Sequence, residues 1–156
     1  MRDILSYEDE RFEIRTLKSG AGRGVFALVQ FKPGQLVMEI HGQLIDEEGY
    51  SSLYCMDLGE GRVLEPGVPG ALVNHSCDPN CQLVDLGNET LGLEALVNIE
   101  PGRELTYNYG WTADVKPQAC YCGSPRCLGY IIAPKELPKL LKKIKKKKKK
   151  KAKKKK

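Results

Sequence analysis

Residues 74–81 read NHSCDPNC. They hold one of the chain's two histidines and two of its six cysteines. Three readings compete: a local metal knuckle, a Cys/His nucleophilic pair, or one part of a site completed elsewhere in the chain. A local tetrahedral zinc site needs four ligands. Asp78 is the only obvious addition to His75, Cys77 and Cys81, and Pro79 stiffens the segment against their convergence. A thiol nucleophile paired with His75 needs a third group to orient the base, and no residue marks itself as one. The remainder of the chain must decide.

The other four cysteines do not settle it by spacing. CYCGSPRC places Cys120, Cys122 and Cys127 in a tight array, with Gly123 and Pro125 shaping the turn. Three thiolates so close suit a tetrahedral zinc site that lacks one ligand. Cys55, Cys77, Cys81, His41 and His75 are all candidates for the fourth. The opening residues, MRDILSYEDE, are charged within three positions and have no apolar signal core, so export by a signal peptide is not expected. No apolar run reaches membrane-spanning length, and no membrane partner is expected. In a reducing compartment the cysteines are expected to be metal ligands or plain thiols rather than disulfides.

Charge divides the chain. The net charge of +5 combines a body of −9 over residues 1–134 with +14 over residues 135–156. An acidic body attracts basic partners, and a polycationic tail attracts nucleic acid or anionic surfaces. FEIRTL (residues 12–17) alternates as a half-buried strand does. GVFALV, QLVMEIHGQLI, RVLEP, CQLVDL, LGLEALVNI and ELTYNYGW are further strand-like runs, split by Gly, Pro, Asn and Asp. The body therefore reads as mainly β. ALVQFKPGQL (residues 27–36) is echoed by ALVNIEPGREL (residues 95–105), two strands that each meet a Pro-Gly turn. In the tail, Leu137, Leu140, Leu141 and Ile144 fall at helical spacing, so one short amphipathic helix is expected. Beyond it, Lys145 to Lys156 is lysine broken only by Ala152, and disorder is expected there.

Four motifs occur in order: GRGVFA (residues 22–27), NHSCDPNC, GRELTYNYGW (residues 102–111) and CYCGSPRCLGYI (residues 120–131). Together they resemble the SET-domain protein-lysine methyltransferases that carry a post-SET zinc segment. The resemblance covers roughly residues 11–132. It implies a β-clip fold with a pseudoknot, S-adenosylmethionine as methyl donor, and a protein lysine as acceptor. The implied boundaries are a SET domain over residues 11–113, a post-SET segment over residues 116–132, and a basic tail over residues 135–156.

Residue roles follow from the matched motifs. Gly22, Arg23 and Gly24 match the first cofactor-binding turn. Asn74 and His75 match the pair that holds the adenosine portion. Cys77 matches the fourth zinc ligand beside Cys120, Cys122 and Cys127, which leaves Cys55 and Cys81 as ordinary thiols. Tyr109 matches the catalytic tyrosine and Tyr107 the position that tunes how many methyl groups are added, with Tyr54 a further channel residue. A tyrosine at 107 implies mainly mono- or dimethyl-lysine. From their spacing alone, Tyr107, Tyr109 and Trp111 also fit one face of a strand, as core aromatics do. Where many members have Arg-Phe-Ile before NHSC, this chain has Ala71-Leu72-Val73. The acidic body suits a lysine-rich substrate such as a histone or histone-like tail. Three readings of the lysine run compete: DNA contact through Lys145–Lys156, a substrate for self-methylation, and an uninvolved solubilising tail; a nuclear or nucleoid location is expected, otherwise a cytoplasmic one. The rival function is a non-catalytic chromatin or nucleic-acid binding module on the same scaffold.

Overall fold

The computed structural model describes residues 10–17 and 22–153. Residues 18–21, at the start of the glycine-rich turn, and residues 154–156, at the end of the lysine run, lie outside the described residues. Among the described residues, ten strands precede one long helix. The chain divides into two units. One comprises residues up to Asn74 together with Asn80–Tyr107, and the other comprises His75–Pro79 together with Asn108–Lys156.

In the first unit, β1 (Phe12–Thr16) pairs antiparallel with β2 (Arg23–Ala27), from Phe12 opposite Ala27 to Thr16 opposite Arg23. A second sheet has the order β3-β9-β8, with β9 (Thr90–Ala95) between β3 (Leu36–Ile40) and β8 (Cys81–Gly87). A third has the order β4-β6-β5, with β6 (Arg62–Pro66) between β4 (Gly42–Ile45) and β5 (Met56–Gly59). The two-residue strands β7 (Asn74–His75) and β10 (Thr106–Tyr107) form the last ladder. Phe12, Val25, Val37, Leu93, Ile99 and Leu105 are fully buried and form the centre of this unit's core. The run QLVMEIHGQLI becomes two strands in two sheets. The break falls at His41, whose carbonyl accepts a hydrogen bond from the Gly67 amide at 2.8 Å. At Gly42 a side chain would collide with the backbone of Glu65 on the paired strand.

The sequence echo is a physical pairing. Phe31 and Ile99 exchange reciprocal amide-to-carbonyl bonds of 3.0 and 2.9 Å. The Gly102 amide donates to the Ala27 carbonyl at 2.7 Å, and the Gly34 amide donates to the Ala95 carbonyl at 2.8 Å. The Ala27 amide donates to Arg103 and the Ala95 amide to Gln35, both at 2.9 Å. Each bond in one copy has its counterpart in the other, so the copies are related by a local two-fold. The Pro-Gly turn of each copy closes the strand end of its twin. Gly34 and Gly102, at φ of +81° and +85°, supply the left-handed residue both turns need.

The second unit packs around Ala113, Ile132 and Leu140, with Leu128, Tyr130, Leu137 and Ile144 against them. The helix α1 (Leu137–Lys153) supplies Leu137, Leu140 and Ile144 from one face, as the spacing predicts, while Leu141 stays 42% exposed. The expected disorder after a short helix is corrected: α1 continues through the lysine run to Lys153. Packing of the first two turns provides the costly nucleus. Lysine is a competent helix former, and cations near a helix C-terminus are favoured by its dipole. Those gains offset the like-charge repulsion on which the disorder reading rested.

Candidate functional site

Three groups of side chains carry chemistry. The first centres on Asn74. Its Nδ2 donates to the Arg23 carbonyl at 2.9 Å and to Glu104 Oε1 at 2.8 Å. Both amide hydrogens are thereby spent, which fixes the amide orientation and leaves Oδ1 as the group it can offer a ligand. Gly24 is buried directly beneath: a Cβ there would stand 2.5 Å from Glu104 Oε1 and 3.1 Å from Asn74 Nδ2. Gly22, at φ +95°, sets the backbone direction at the start of β2. Asn80, at the other end of the stretch, latches the backbone that leads to Tyr107. Its Nδ2 donates to the Glu104 carbonyl at 2.7 Å, and its Oδ1 accepts from the Thr106 amide at 2.9 Å. Tyr107, in β10, is 7% exposed.

The second group is aromatic. His75 Nδ1 accepts the Tyr109 amide at 3.2 Å, so the ring proton lies on Nε2, which faces Cys77 Sγ at 3.5 Å. Burial lowers the His75 pKa to about 4, and the neutral ring adds no positive charge that would oppose a cationic ligand. Both ring nitrogens are engaged within the protein, so a ligand contact from this residue falls to its main chain. The Tyr109 ring meets the His75 ring edge-on at 5.3 Å between centroids and the Trp111 ring at 5.7 Å. The expectation that Tyr107, Tyr109 and Trp111 share one strand face is corrected. The strand ends at Tyr107, because the Asn108 side chain accepts the Gly110 amide at 2.9 Å and Gly110 adopts φ +68°. Tyr54 is 55% exposed in a turn bound to Ser52 Oγ.

The third group is the cysteines. The Sγ atoms of Cys77, Cys120, Cys122 and Cys127 all lie within 4.8 Å of one another. A zinc ion with Zn–S bonds of about 2.3 Å sets tetrahedral sulfur separations near ~3.8 Å, and Cys77 and Cys120 stand 3.7 Å apart. Four sulfur donors at this spacing, none in a disulfide, suit zinc. Burial raises the thiol pKa of Cys77 and Cys120. Burial acts on Cys122 in the same sense, but amides of Cys77 and Ser124 and the neighbouring thiols outweigh it and lower its pKa to about 6. The Leu128 amide donates to Cys77 Sγ at 3.4 Å, an outer contact of the kind that orients metal ligands. Asp78 and Arg126 pair across the same junction, tying NHSCDP to CYCGSPRC. Cys81 and Cys55 stand outside this group. Cys81 is buried in β8, its thiol pushed up to about 12 by burial. Cys55 accepts the Ser52 amide at 3.4 Å.

The sequence reading passed over Glu104, Asn80 and the Asp78–Arg126 pair. Asn80 had a signal, since an Asn between Pro and a strand often bonds backbone. Glu104 had none, because its partner Asn74 lies thirty positions away in the chain.

The comparisons with known proteins agree with this arrangement. A family model described as the SET domain matches residues 22–110, more than half of the chain. A histone-lysine N-methyltransferase, H3 lysine-36 specific, of Aspergillus oryzae is 35% identical over 139 residues, covering 76% of this chain and 14% of that protein. Histone-lysine N-methyltransferase TRX1 of Oryza sativa subsp. japonica is 34% identical over 129 residues, covering 70% of this chain and 13% of the relative. The chain thus spans about a seventh of the length of these relatives. Among solved structures, that of KRYPTONITE in complex with mCHH DNA, H3(1-15) peptide and SAH matches with a TM-score of 0.64 and 27% identity, covering 81% of this chain and 31% of that one. With its small sheets, its ordered motifs and a family match over most of the first unit, the chain belongs to the SET domain family.

Proposed function

We propose that this chain is an S-adenosylmethionine-dependent protein-lysine N-methyltransferase acting on a histone or histone-like basic tail. The observation that carries the reading is that the SET match over residues 22–110 contains Gly22, Arg23, Gly24, Asn74, His75, Tyr107 and Tyr109 together. The matched KRYPTONITE structure was solved with an H3 peptide and SAH. On this reading residues 11–113 form the SET domain, residues 116–132 the post-SET segment and residues 135–156 a basic extension.

S-adenosylmethionine would supply an electrophilic methyl: an uncharged lysine amine forms a bond to its carbon as the methyl–sulfur bond breaks and the neutral thioether leaves. Asn74, held by Arg23 and Glu104, would offer its Oδ1 to the donor, and Gly22 and Gly24 would let the backbone approach it where no side chain intervenes. A lysine amine has a pKa near ~10.4 and must shed its proton before it attacks. Tyr109, whose ring packs against those of His75 and Trp111, would meet that amine with its hydroxyl and fix its direction. Tyr107 limits the room for added methyl groups, so mono- and dimethyl-lysine dominate. Cys77, Cys120, Cys122 and Cys127 would hold zinc as a structural ion that fixes the second unit.

The acidic body attracts the basic substrate, and the lysine run Lys145–Lys156 contacts DNA. No helix among the described residues is long and apolar enough to cross a membrane. A nuclear or nucleoid location follows from a chromatin substrate. The test is incubation of the zinc-loaded chain with labelled S-adenosylmethionine and histone H3, with tryptic mass spectrometry of the products. Mono- and dimethyl-lysine in H3 is the expected result; absence of label in every lysine, with the donor bound by calorimetry, would leave a binding module instead. Deletion of residues 145–156 is expected to remove DNA binding at low salt and leave methyl transfer to a free peptide intact. Unchanged DNA affinity after the deletion would remove the DNA role.

A further inference from the structure

The segment that carries Tyr109 is irregular after β10 and receives no strand partner beyond Tyr107. Besides His75, residues at the chain's C-terminal end hold it. The Ala133 amide donates to the Trp111 carbonyl at 2.9 Å. Glu136 Oε2 accepts the Ala113 amide at 3.0 Å, from a carboxylate whose side chain is only 23% exposed. Lys143 Nζ donates to the Ala113 carbonyl at 3.1 Å. Lys139 pairs with Asp114 at 2.8 Å, and Lys143 pairs with it as well. Beneath these contacts Leu140 of α1 packs on Ala113 and Ile132. The Trp111 carbonyl and the amide and carbonyl of Ala113 are thus bonded to residues 133–143. Trp111 in turn is the ring that braces Tyr109.

We infer that α1 and the turn before it clasp the Tyr109 segment, with Glu136 as a positioning residue for methyl transfer. The contact is specific in chemistry. Ala113 presents an amide that needs an acceptor, and Glu136 is the side chain that supplies one. The basic helix therefore does two separable jobs: its first two turns hold Ala113 and Asp114, next to the aromatic pair, and Lys145–Lys151 are exposed to an anionic partner. The inference rests on the reading of Tyr109 as the catalytic tyrosine.

Trp111 is the chain's only tryptophan, so its fluorescence reports on this segment without reference to activity. The experiment compares wild type, Glu136→Ala and Glu136→Gln in the zinc-loaded full chain. The readouts are kcat and KM on an H3 peptide, Trp111 emission with acrylamide quenching, and bound zinc. Glu136→Gln keeps an oxygen acceptor for the Ala113 amide. It is expected to match the wild type in kcat and in emission. Glu136→Ala is expected to lower kcat about tenfold, with KM within about twofold, as misplacement of a reacting group does. Its Trp111 emission should shift to the red and quench more readily, with zinc retained. Wild-type kcat and emission in Glu136→Ala would overturn the clasp, as would a glutamine variant as defective as the alanine one. If Glu136→Ala fails to fold, Asp114→Asn removes the charge that Lys139 and Lys143 pair with, and so loosens the helix side of the same clasp from an exposed position. A fewfold loss of kcat is then expected, and wild-type kcat and emission would overturn the idea. If the wild type transfers no methyl group, the enzyme reading fails, and the clasp stands or falls on the Trp111 signal alone.

Discussion

Replacing Asn80 tests whether NHSCDPNC is a structural junction as well as a cofactor element. Its side chain makes two short bonds to the backbone that leads into β10, donating to Glu104 at 2.7 Å and accepting from Thr106 at 2.9 Å. Each intramolecular hydrogen bond contributes about 0.5–1.5 kcal/mol net, and an orphaned, partly buried backbone group costs about 1–3 kcal/mol. Asn80→Ala removes both bonds and leaves the Glu104 carbonyl and the Thr106 amide without this partner, so about 2–4 kcal/mol of stability should be lost, the partial exposure of Asn80 holding the sum below the maximum. For a chain of this size each kcal/mol moves the melting temperature by about 2–4 °C, which gives a fall of about 5–15 °C. Asn80→Asp separates the two bonds. It keeps the acceptor for Thr106 but sets an oxygen against the Glu104 carbonyl, and its melting temperature should fall as far as that of Asn80→Ala or further. Differential scanning calorimetry of the zinc-loaded protein reads both shifts. If both variants melt with the wild type, the latch is not a stabilising contact and the bond inventory around β10 is wrong.

Three further outcomes follow from the same contacts. Cys77→Ser should abolish stoichiometric zinc binding measured by a chromogenic chelator after thiol release, whereas Cys55→Ser should retain it. Leu140→Ala, at a position 3% exposed in the second unit's core, should cost about 2–4 kcal/mol in denaturant unfolding. Tyr107→Phe should raise the trimethyl fraction of the product in mass spectrometry. An unchanged product distribution would separate Tyr107 from the control of methylation number.

Much of the fold was legible because its signals are local. Alternation marks β1 and β9, and Pro-Gly marks both echo turns, so strand content and turn positions follow from neighbouring residues. What escaped is non-local or carried by one residue. The division of QLVMEIHGQLI into β3 and β4 depends on close approach to Glu65 at Gly42, which no periodicity encodes. The reciprocal pairing of the two echo copies needs residues 27–36 beside residues 95–103, and sequence identity between the copies does not say that they touch. The short β10 was masked by an aromatic alternation that continues past the strand's end, where the Asn108 side chain bends the backbone away. The lysine run misled for another reason: its like charges point to disorder, whereas the nucleus packed by Leu137, Leu140 and Ile144 carries the helix on through it. At the site, the cysteine set was open by spacing alone and followed from the family motif. The Glu104–Asn74 bond had no sequence counterpart at all.

The central claim is methyl transfer to lysine governed by Tyr109. Single-turnover transfer of labelled methyl from S-adenosylmethionine to an H3 peptide, by wild type and Tyr109→Phe side by side, tests it most directly. Wild type should label lysine, and the phenylalanine variant, which still binds zinc and the donor, should transfer at least a hundredfold more slowly, about 2.7 kcal/mol of barrier. Equal rates in the two proteins, or no label from the wild type, would contradict the account.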